Sequence, residues 1–351
     1  DFDGTLFDTY PHIAEAFAQI MTREGIAFDR EKKYTYYWFT TKLVKCDLDG
    51  NVVGTVDRIV GHLGCIAFND ADGRLYASLE YKNDAIGQGI LRMKQLSTEI
   101  TNAFYIAIFD VDKIDRIGMN AEKDGVMKTV YLPTVLEDYQ AKVEVEGKSL
   151  EHRFGCAGMD GVSFGPKLGK ADGKQYLTVA YGVYADTSRA DNDHQVLLQY
   201  DIEDWKKYES TLSQDHMHTN GPEKPDGQYF VYTGNTMYGV QNLEYDAHSQ
   251  KWWMAVYKGS KPQYPNYTLF AFDAGTKPVK QALQGVPYLK KAKTITAVQG
   301  WQQNIGSTGF CALDNGLFLI SHAYKNAEGQ GSVLTLYRYT KGEMPFERMN
   351  K

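Results

Sequence analysis

Four cysteines in 351 residues, Cys46, Cys65, Cys156 and Cys311, form no C-x-x-C pair and no metal-knuckle spacing, which excludes a zinc ribbon. Long apolar runs are missing too. None approaches the ~18 to 20 residues that span a bilayer, and no charged-then-apolar opening marks a secretory leader. The chain starts at Asp1 rather than Met, so its N-terminus is expected not to be the native start, and the absent leader leaves the compartment open. Positive charge is in deficit: 38 Lys and Arg stand against 44 Asp and Glu, a net charge of −6. With no basic stripe, a nucleic-acid or anionic-membrane binder is disfavoured. At 43% hydrophobic and 23% charged residues, the balance is that of a soluble globular protein rather than a disordered chain or a coiled coil.

Tyrosine and glycine are plentiful, at 25 and 33 residues, which favours β-sheet with many turns. The leading residues read differently. Asp1 to Asp8 ends a strand and runs into a helix with Thr9 as cap, Pro11 in its first turn, an apolar face of Ile13, Phe17, Ile20 and Met21, and Gly25 as a stop. From Tyr34 onward the helical period disappears, except over Ile90 to Ala103, and short aromatic runs alternate with Asp-Gly and Asn-Gly turns.

Self-comparison finds three pieces recurring in fixed order. A Gly strand occurs as Gly64 to Phe68, Gly155 to Met159, Gly239 to Leu243 and Gly309 to Leu313, each followed by a polar residue: Asn69, Asp160, Glu244 and Asp314. A strand closing on Tyr follows, ending at Tyr81, Tyr181, Tyr257 and Tyr324. The third ends aromatic then polar, at Phe109-Asp110, Tyr200-Asp201, Phe272-Asp273 and Tyr337-Arg338, with a partial copy at Leu43 to Asp47. This order fits a four-stranded antiparallel sheet repeated around an axis. The expected fold is therefore all-β, a β-propeller over residues 34–351 with about five blades of four antiparallel strands, four or six being open, behind a short N-terminal βα appendage over residues 1–33. Cys65, Cys156 and Cys311 fall in the Gly strand and are expected to be small buried filler near the axis.

Asp1-Phe2-Asp3-Gly4-Thr5-Leu6-Phe7-Asp8 resembles the first motif of the haloacid dehalogenase-like hydrolases, and the helix after it is similar to the cap start of their phosphoglycolate-phosphatase-like members. The resemblance implies that Asp1 is a nucleophile forming an aspartyl-phosphate, Asp3 a general acid/base, and Mg²⁺ the cofactor. It covers about 30 residues and stops. The family's G-D-x-x-x-D pair has no counterpart, since the sequence holds no Gly-Asp dipeptide. A Mg²⁺-dependent phosphatase thus has only its first motif, and no turnover is expected from this chain alone.

Departures from the repeat near one channel mouth nominate His62, Glu80, His152, Gln241 and Asn242 as residues that converge on a small polar or carbohydrate-like ligand or a metal; bracing of the blade ends is the plainer role. Glu80 stands where Ala180, Val256 and Ala323 stand in the other copies. The first expectation is a binding module. The second is a propeller hydrolase or lyase using Glu80, His62 and His152 with a divalent metal. His216 and His218 have the spacing of a metal pair in an extended segment, without a third ligand. Gly161-Val162-Ser163-Phe164-Gly165 matches G-x-S-x-G but lacks the strand-turn-helix setting of a nucleophile elbow. Asp160, Glu244 and Asp314 suggest paired carboxylates for glycoside hydrolysis, yet a shared offset in successive repeats makes them strand-end residues. Asn266-Tyr267-Thr268 is a glycosylation sequon that proves nothing about secretion. Substrate, resident cofactor and oligomeric state are not legible.

Overall fold

Asp and Gly at the expected turns fold the chain back on itself. Gly73 takes φ +67° and its N–H reaches the Asn69 carbonyl, while Asp72 Oδ1 accepts from the Arg74 N–H. Asp47 accepts from Asn51 in the same way, with Gly50 at φ +86°. A computed structural model of the chain describes residues 25–29, 34–326 and 329–349. Of the appendage expected over 1–33, residues 1–24, with Asp1 and Asp3, and residues 30–33 lie outside the described residues.

Five sheets follow in chain order. The first is Gly25–Asp29, Tyr34–Phe39, Lys42–Asp47 and Val52–Asp57; the second His62–Asn69, Arg74–Tyr81, Ala103–Phe109 and Met127–Tyr131. The third is Cys156–Pro166, Gln175–Val183, His194–Tyr200 and Gly227–Tyr232. The fourth is Thr236–Asp246, Lys251–Lys258, Leu269–Asp273 and Gln299–Trp301; the fifth Phe310–Ala312, Leu317–Asn326, Gly329–Tyr339 and Phe346–Arg348. Each quartet is antiparallel. Two blades gain outer strands from insertions: Met119–Asn120 lies parallel to Val52–Asp57, and Ala292–Ile295 parallel to Gly227–Tyr232. The protein is a five-bladed β-propeller. Its first sheet takes in residues 25–29, ahead of the start at 34 read from the sequence, because Gly25–Asp29 supplies the inner strand that Tyr34–Phe39 pairs with.

Apolar clusters fill the seams between successive blades. Trp38 packs with Phe109 in the first seam, Tyr76 with Phe164 in the second, and Trp253 lies among Phe310, Phe318 and Phe346 in the fourth. No strand is shared by the first and fifth sheets among the described residues. The ring closes where Tyr37, Phe39, Val44 and Cys46 pack against Cys311, with Phe28, Leu319 and Leu334 beside them. All four cysteines are buried, and none is in a disulfide.

The ladders also fix which residues are equivalent. One rung joins Phe28, Thr35 and Cys46 in the first blade; Phe68, Leu75 and Phe109 in the second; Phe164, Leu177 and Tyr200 in the third. It continues through Tyr245, Trp252 and Phe272 in the fourth and Ala312, Phe318 and Tyr337 in the fifth. On this scale Glu244 precedes the rung directly, Asp314 follows it by two residues, and Asp160 precedes it by four. The three carboxylates therefore do not share an offset, as sequence comparison had them. Bulges cause the slip. The register shifts between Leu63 and Ile66, between Met159 and Val162, and twice between Met237 and Asn242.

Helices are few. The first, Ala85–Met93, is capped by Asp84, whose side chain accepts from the Gly87 N–H. It begins before the helical stretch read at Ile90 to Ala103 and ends well short of it, since Ala103 already opens a strand. The second, Pro133–Gln140, opens on a proline in its first turn.

Candidate functional site

Inner strands of the second to fourth blades start at one end of the channel, here the proximal mouth, and each carries a bulge there: Gly64-Cys65, Asp160-Gly161 and Tyr238-Gly239. A bulge leaves residues unpaired and re-aims their side chains. Asp160 and Tyr238 are placed in this way. Tyr238 takes φ +62° with Gly239 at φ +73°, and it is 48% exposed, its ring meeting that of Tyr257 edge-on at 6.3 Å.

Glu80 pairs with His62 across the ladder of the second blade. Its Oε1 lies 3.2 Å from His62 Nδ1 and 2.5 Å from Lys82 Nζ, and its Oε2 accepts from the Met159 N–H at 3.1 Å. Lys82 also donates to the Ala157 carbonyl at 2.6 Å. Both charges are buried. Burial pushes the Glu80 carboxyl up, but Lys82 and His62 together hold it below the ordinary carboxylate value. Lys82 is held above its ordinary value, burial opposing and the Glu80, Asp160 and Asp84 carboxylates prevailing. Gly158 makes the approach possible: at φ +119°, a Cβ there would stand 2.0 Å from Glu80 Oε2.

Asp160 completes the group. One potential ligand atom from each of His62, Glu80 and Asp160 lies within 4.8 Å of the others. Gln241 Nε2 donates to Asp160 Oδ2 at 3.2 Å and to the Tyr238 carbonyl at 3.0 Å, which ties the cluster to the exposed rings. Of the residues expected from the sequence, His62, Glu80 and Gln241 thus come together. Asn242 is 1% exposed and braces inner strands, with Oδ1 accepting from Cys65 Sγ and Nδ2 donating to the Ser307 carbonyl. His152 stands apart from the group of three: its Nδ1 donates to the Tyr139 carbonyl at 2.5 Å, and its ring lies between Tyr139 and Tyr184. Burial lowers its pKa.

Sequence comparison missed Lys82 and the place of Asp160. By register, Glu80 is level with Gly182 and Tyr257, two residues beyond the Ala180 and one beyond the Val256 read as its counterparts. A lysine directly after the repeat Tyr81, at the end of a buried strand, was the signal available. His218 is spent elsewhere, with Nε2 at 2.7 Å from Thr129 Oγ1 and Nδ1 accepting from the Asn220 N–H. Ser163 sits inside a continuous inner strand, 3% exposed, with no helix after it, so no nucleophile elbow forms.

No protein-family description matches the chain, and no curated protein matches it. Among solved structures it is similar to Kuenenia stuttgartiensis hydrazine synthase, at 9% identity and TM-score 0.38, over 94% of this chain and 66% of that one. It is similar to the Dos1 propeller at 12% identity and TM-score 0.37, over 94% and 70% of the two chains. Similarity to a luciferin-regenerating enzyme is at 11% identity and TM-score 0.37, over 92% and 93%. The chain spans just under two thirds of the hydrazine synthase chain. Among the described residues, no helix is long and apolar enough to cross a membrane.

Proposed function

We propose that the propeller is a binding module whose proximal mouth holds a small polar, carbohydrate-like ligand. The observation that carries this reading is the bulge pair: Asp160 and Tyr238 leave the ladders beside the fixed group of His62, Glu80 and Lys82. Polar donors and acceptors of both signs beside exposed rings suit a neutral polyhydroxyl compound, which hydrogen-bonds at its edges and presents C–H faces to aromatics. Left-handed backbone at an exposed tyrosine costs roughly 1 kcal/mol or more, strain of the kind that gathers at ligand sites.

Acid-base catalysis fits less well. A carboxyl held low and an ammonium held high stay ionised at neutral pH, and neither is poised to move a proton. A metal-dependent hydrolase or lyase is weaker on the same ground, because Lys82 already neutralises the Glu80 carboxylate, and His152 stands apart.

Calorimetric titration of the full chain with xylose, arabinose, galactose, xylobiose and cellobiose tests the reading. Saturable binding is expected for at least one sugar, weakened about tenfold by Asp160→Asn or Tyr238→Gly, a loss typical of one charge-assisted bond or one stacked ring. Binding of none would sink it. Sugar cleavage, or a stoichiometric metal lost in His62→Ala, would replace it with the hydrolase.

A further inference from the structure

The far ends of the inner strands form a second, distal mouth, where a cavity of about 400 Å³ opens. On the shared rung, four blades carry rings, Phe28, Phe68, Phe164 and Tyr245, and the fifth carries Ala312. Directly before the rung, four blades carry small residues, Ala27, Ala67, Ser163 and Cys311, and the fourth blade carries Glu244. Carboxylates of this wall bond across the ring. Glu244 Oε1 accepts from the Ala312 N–H at 2.8 Å and Asp314 Oδ1 from the Ala247 N–H at 3.0 Å, which laces the fourth and fifth blades together.

At the proximal mouth, rings stand on both sides of the third blade. Tyr238 and Tyr257 belong to the fourth blade. On the side of the second blade, the His152 ring lies 4.6 Å from that of Tyr139 and 5.0 Å from that of Tyr184. The Tyr139 and Tyr184 side chains bond to each other and lie within the field of Lys82 and Asp84, so this group begins where the Glu80 cluster ends. Gly182, two residues before Tyr184, adds no side chain between the groups: a Cβ there would stand 3.0 Å from Asp160 Oδ2 and 3.4 Å from the Tyr238 carbonyl. Asp160, bonded to Gln241, occupies the middle.

The segment that carries His152 is held under strain. His152, Phe154 and Gly155 take φ +65°, +59° and +69°. Arg189, 7% exposed, donates to the Glu151 and His152 carbonyls at 2.6 and 2.7 Å and pairs with Asp191 at 2.8 Å. The Phe154 N–H reaches the Tyr288 hydroxyl at 3.0 Å. Left-handed residues other than glycine persist only where their surroundings hold them, and they gather at ligand clamps.

We propose that the ligand of the proximal mouth is a neutral oligosaccharide of at least two units, with one sugar ring on Tyr238, another on Tyr184, and Asp160 and Gln241 bonding the hydroxyls between them. This assignment rests on the binding-module reading of the same mouth and narrows it to a substrate class. A single sugar ring cannot meet aromatic groups on both sides of the third blade, whereas a short chain can.

Calorimetric titration of the full chain with xylose, xylobiose and xylotriose, and with glucose, cellobiose and cellotriose, reads the effect of length. In a series that binds, affinity should rise at least about tenfold from one unit to three, the gain of one more stacked ring. Tyr184→Leu should cut that gain to under about twofold, and Tyr184→Phe, which keeps the ring, should retain it. Should Tyr184→Leu fail to fold, the length series in the parent protein decides. Glu244→Gln, at the distal mouth, should leave the trisaccharide affinity unchanged. Affinity that does not grow with length would overturn the assignment and leave the binding module standing. A gain that survives Tyr184→Leu, or a loss in Glu244→Gln, would overturn it as well. Binding of no sugar at all would remove both.

Discussion

At the proximal mouth opposite charges are matched within the protein: Glu80 against Lys82 and His62, Asp160 against the Gln241 amide and within the field of Lys82. At the distal mouth the described wall of the cavity includes Asp70, Glu244 and Asp314, and Glu244 is tied to the Ala312 N–H of the next blade. Both ends are built from the same five strands, so the fold does not dictate either arrangement. The ends differ in how each departs from the repeat. Proximal departures are insertions, bulges that turn side chains out of the ladder. Distal departures are substitutions at a kept register, a glutamate for a small residue and an alanine for a ring. The first kind supplies a self-neutralised polar floor; the second sets a glutamate beside a space.

The contrast can be broken hardest at Lys82. Lys82→Met leaves Glu80 buried without its ammonium, and urea unfolding at neutral pH should show a loss of about 3 to 5 kcal/mol. Adding Glu80→Gln should return most of it, since an amide oxygen still accepts from Met159. An undiminished loss in the double variant would show that packing, not charge, is what Lys82 contributes.

Acid should act on the proximal side. His194 opens a strand there, 3% exposed, with its Nδ1 unpartnered, and burial lowers its pKa to about 4. An unfolded histidine takes up a proton below about pH 6.5, whereas the folded one resists until about pH 4. Stability therefore falls as pH drops through that window, by roughly 3 kcal/mol from this group. The carboxyl of Glu80, held low, contributes stability that is present above the ordinary carboxylate value and is lost as pH falls below it. Urea unfolding at pH 7 and pH 4.5 should show a smaller decline in His194→Phe than in the parent. An identical decline would place the acid sensitivity elsewhere.

Gly158→Ala should cost about 2 kcal/mol by thermal unfolding, from a left-handed φ and a methyl set against Glu80 Oε2. A neutral outcome would mean that the Glu80 and Lys82 pair tolerates displacement. The smallest effect is expected at Tyr238→Gly. Relief of backbone strain and the added freedom of the unfolded chain offset each other, leaving a stability change under about 1 kcal/mol. Sugar binding should weaken about tenfold all the same. That separation of stability from binding is what a ligand contact predicts and a structural brace does not.

The ring was legible because each blade repeats its chemistry at the third strand: Phe109-Asp110, Tyr200-Asp201 and Phe272-Asp273 fall on one rung in the structure as in the sequence. Alignment of the inner strands was not. Bulges at Asp160-Gly161 and Tyr238-Gly239 add residues without any composition that separates them from an ordinary turn, so Asp160 was matched with Glu244 and Asp314. For the same reason the sequence pointed to His62, Glu80 and Gln241 but not to Lys82, whose partner comes from pairing across strands. The exception at Ala312 was hidden too, because an alanine in a strand attracts no notice until four rings are seen at its level.

Closure of the ring by apolar packing has a further consequence. Among the described residues, hydrogen-bonded sheet does not cross from the fifth blade to the first, and the apolar contact described at that joint weakens in the cold. Phe28 and Cys311 belong both to the joint and to the wall of the distal cavity. Anything that fills that cavity touches the two edges at once and acts as a clasp, so that filling it would shut the propeller more tightly.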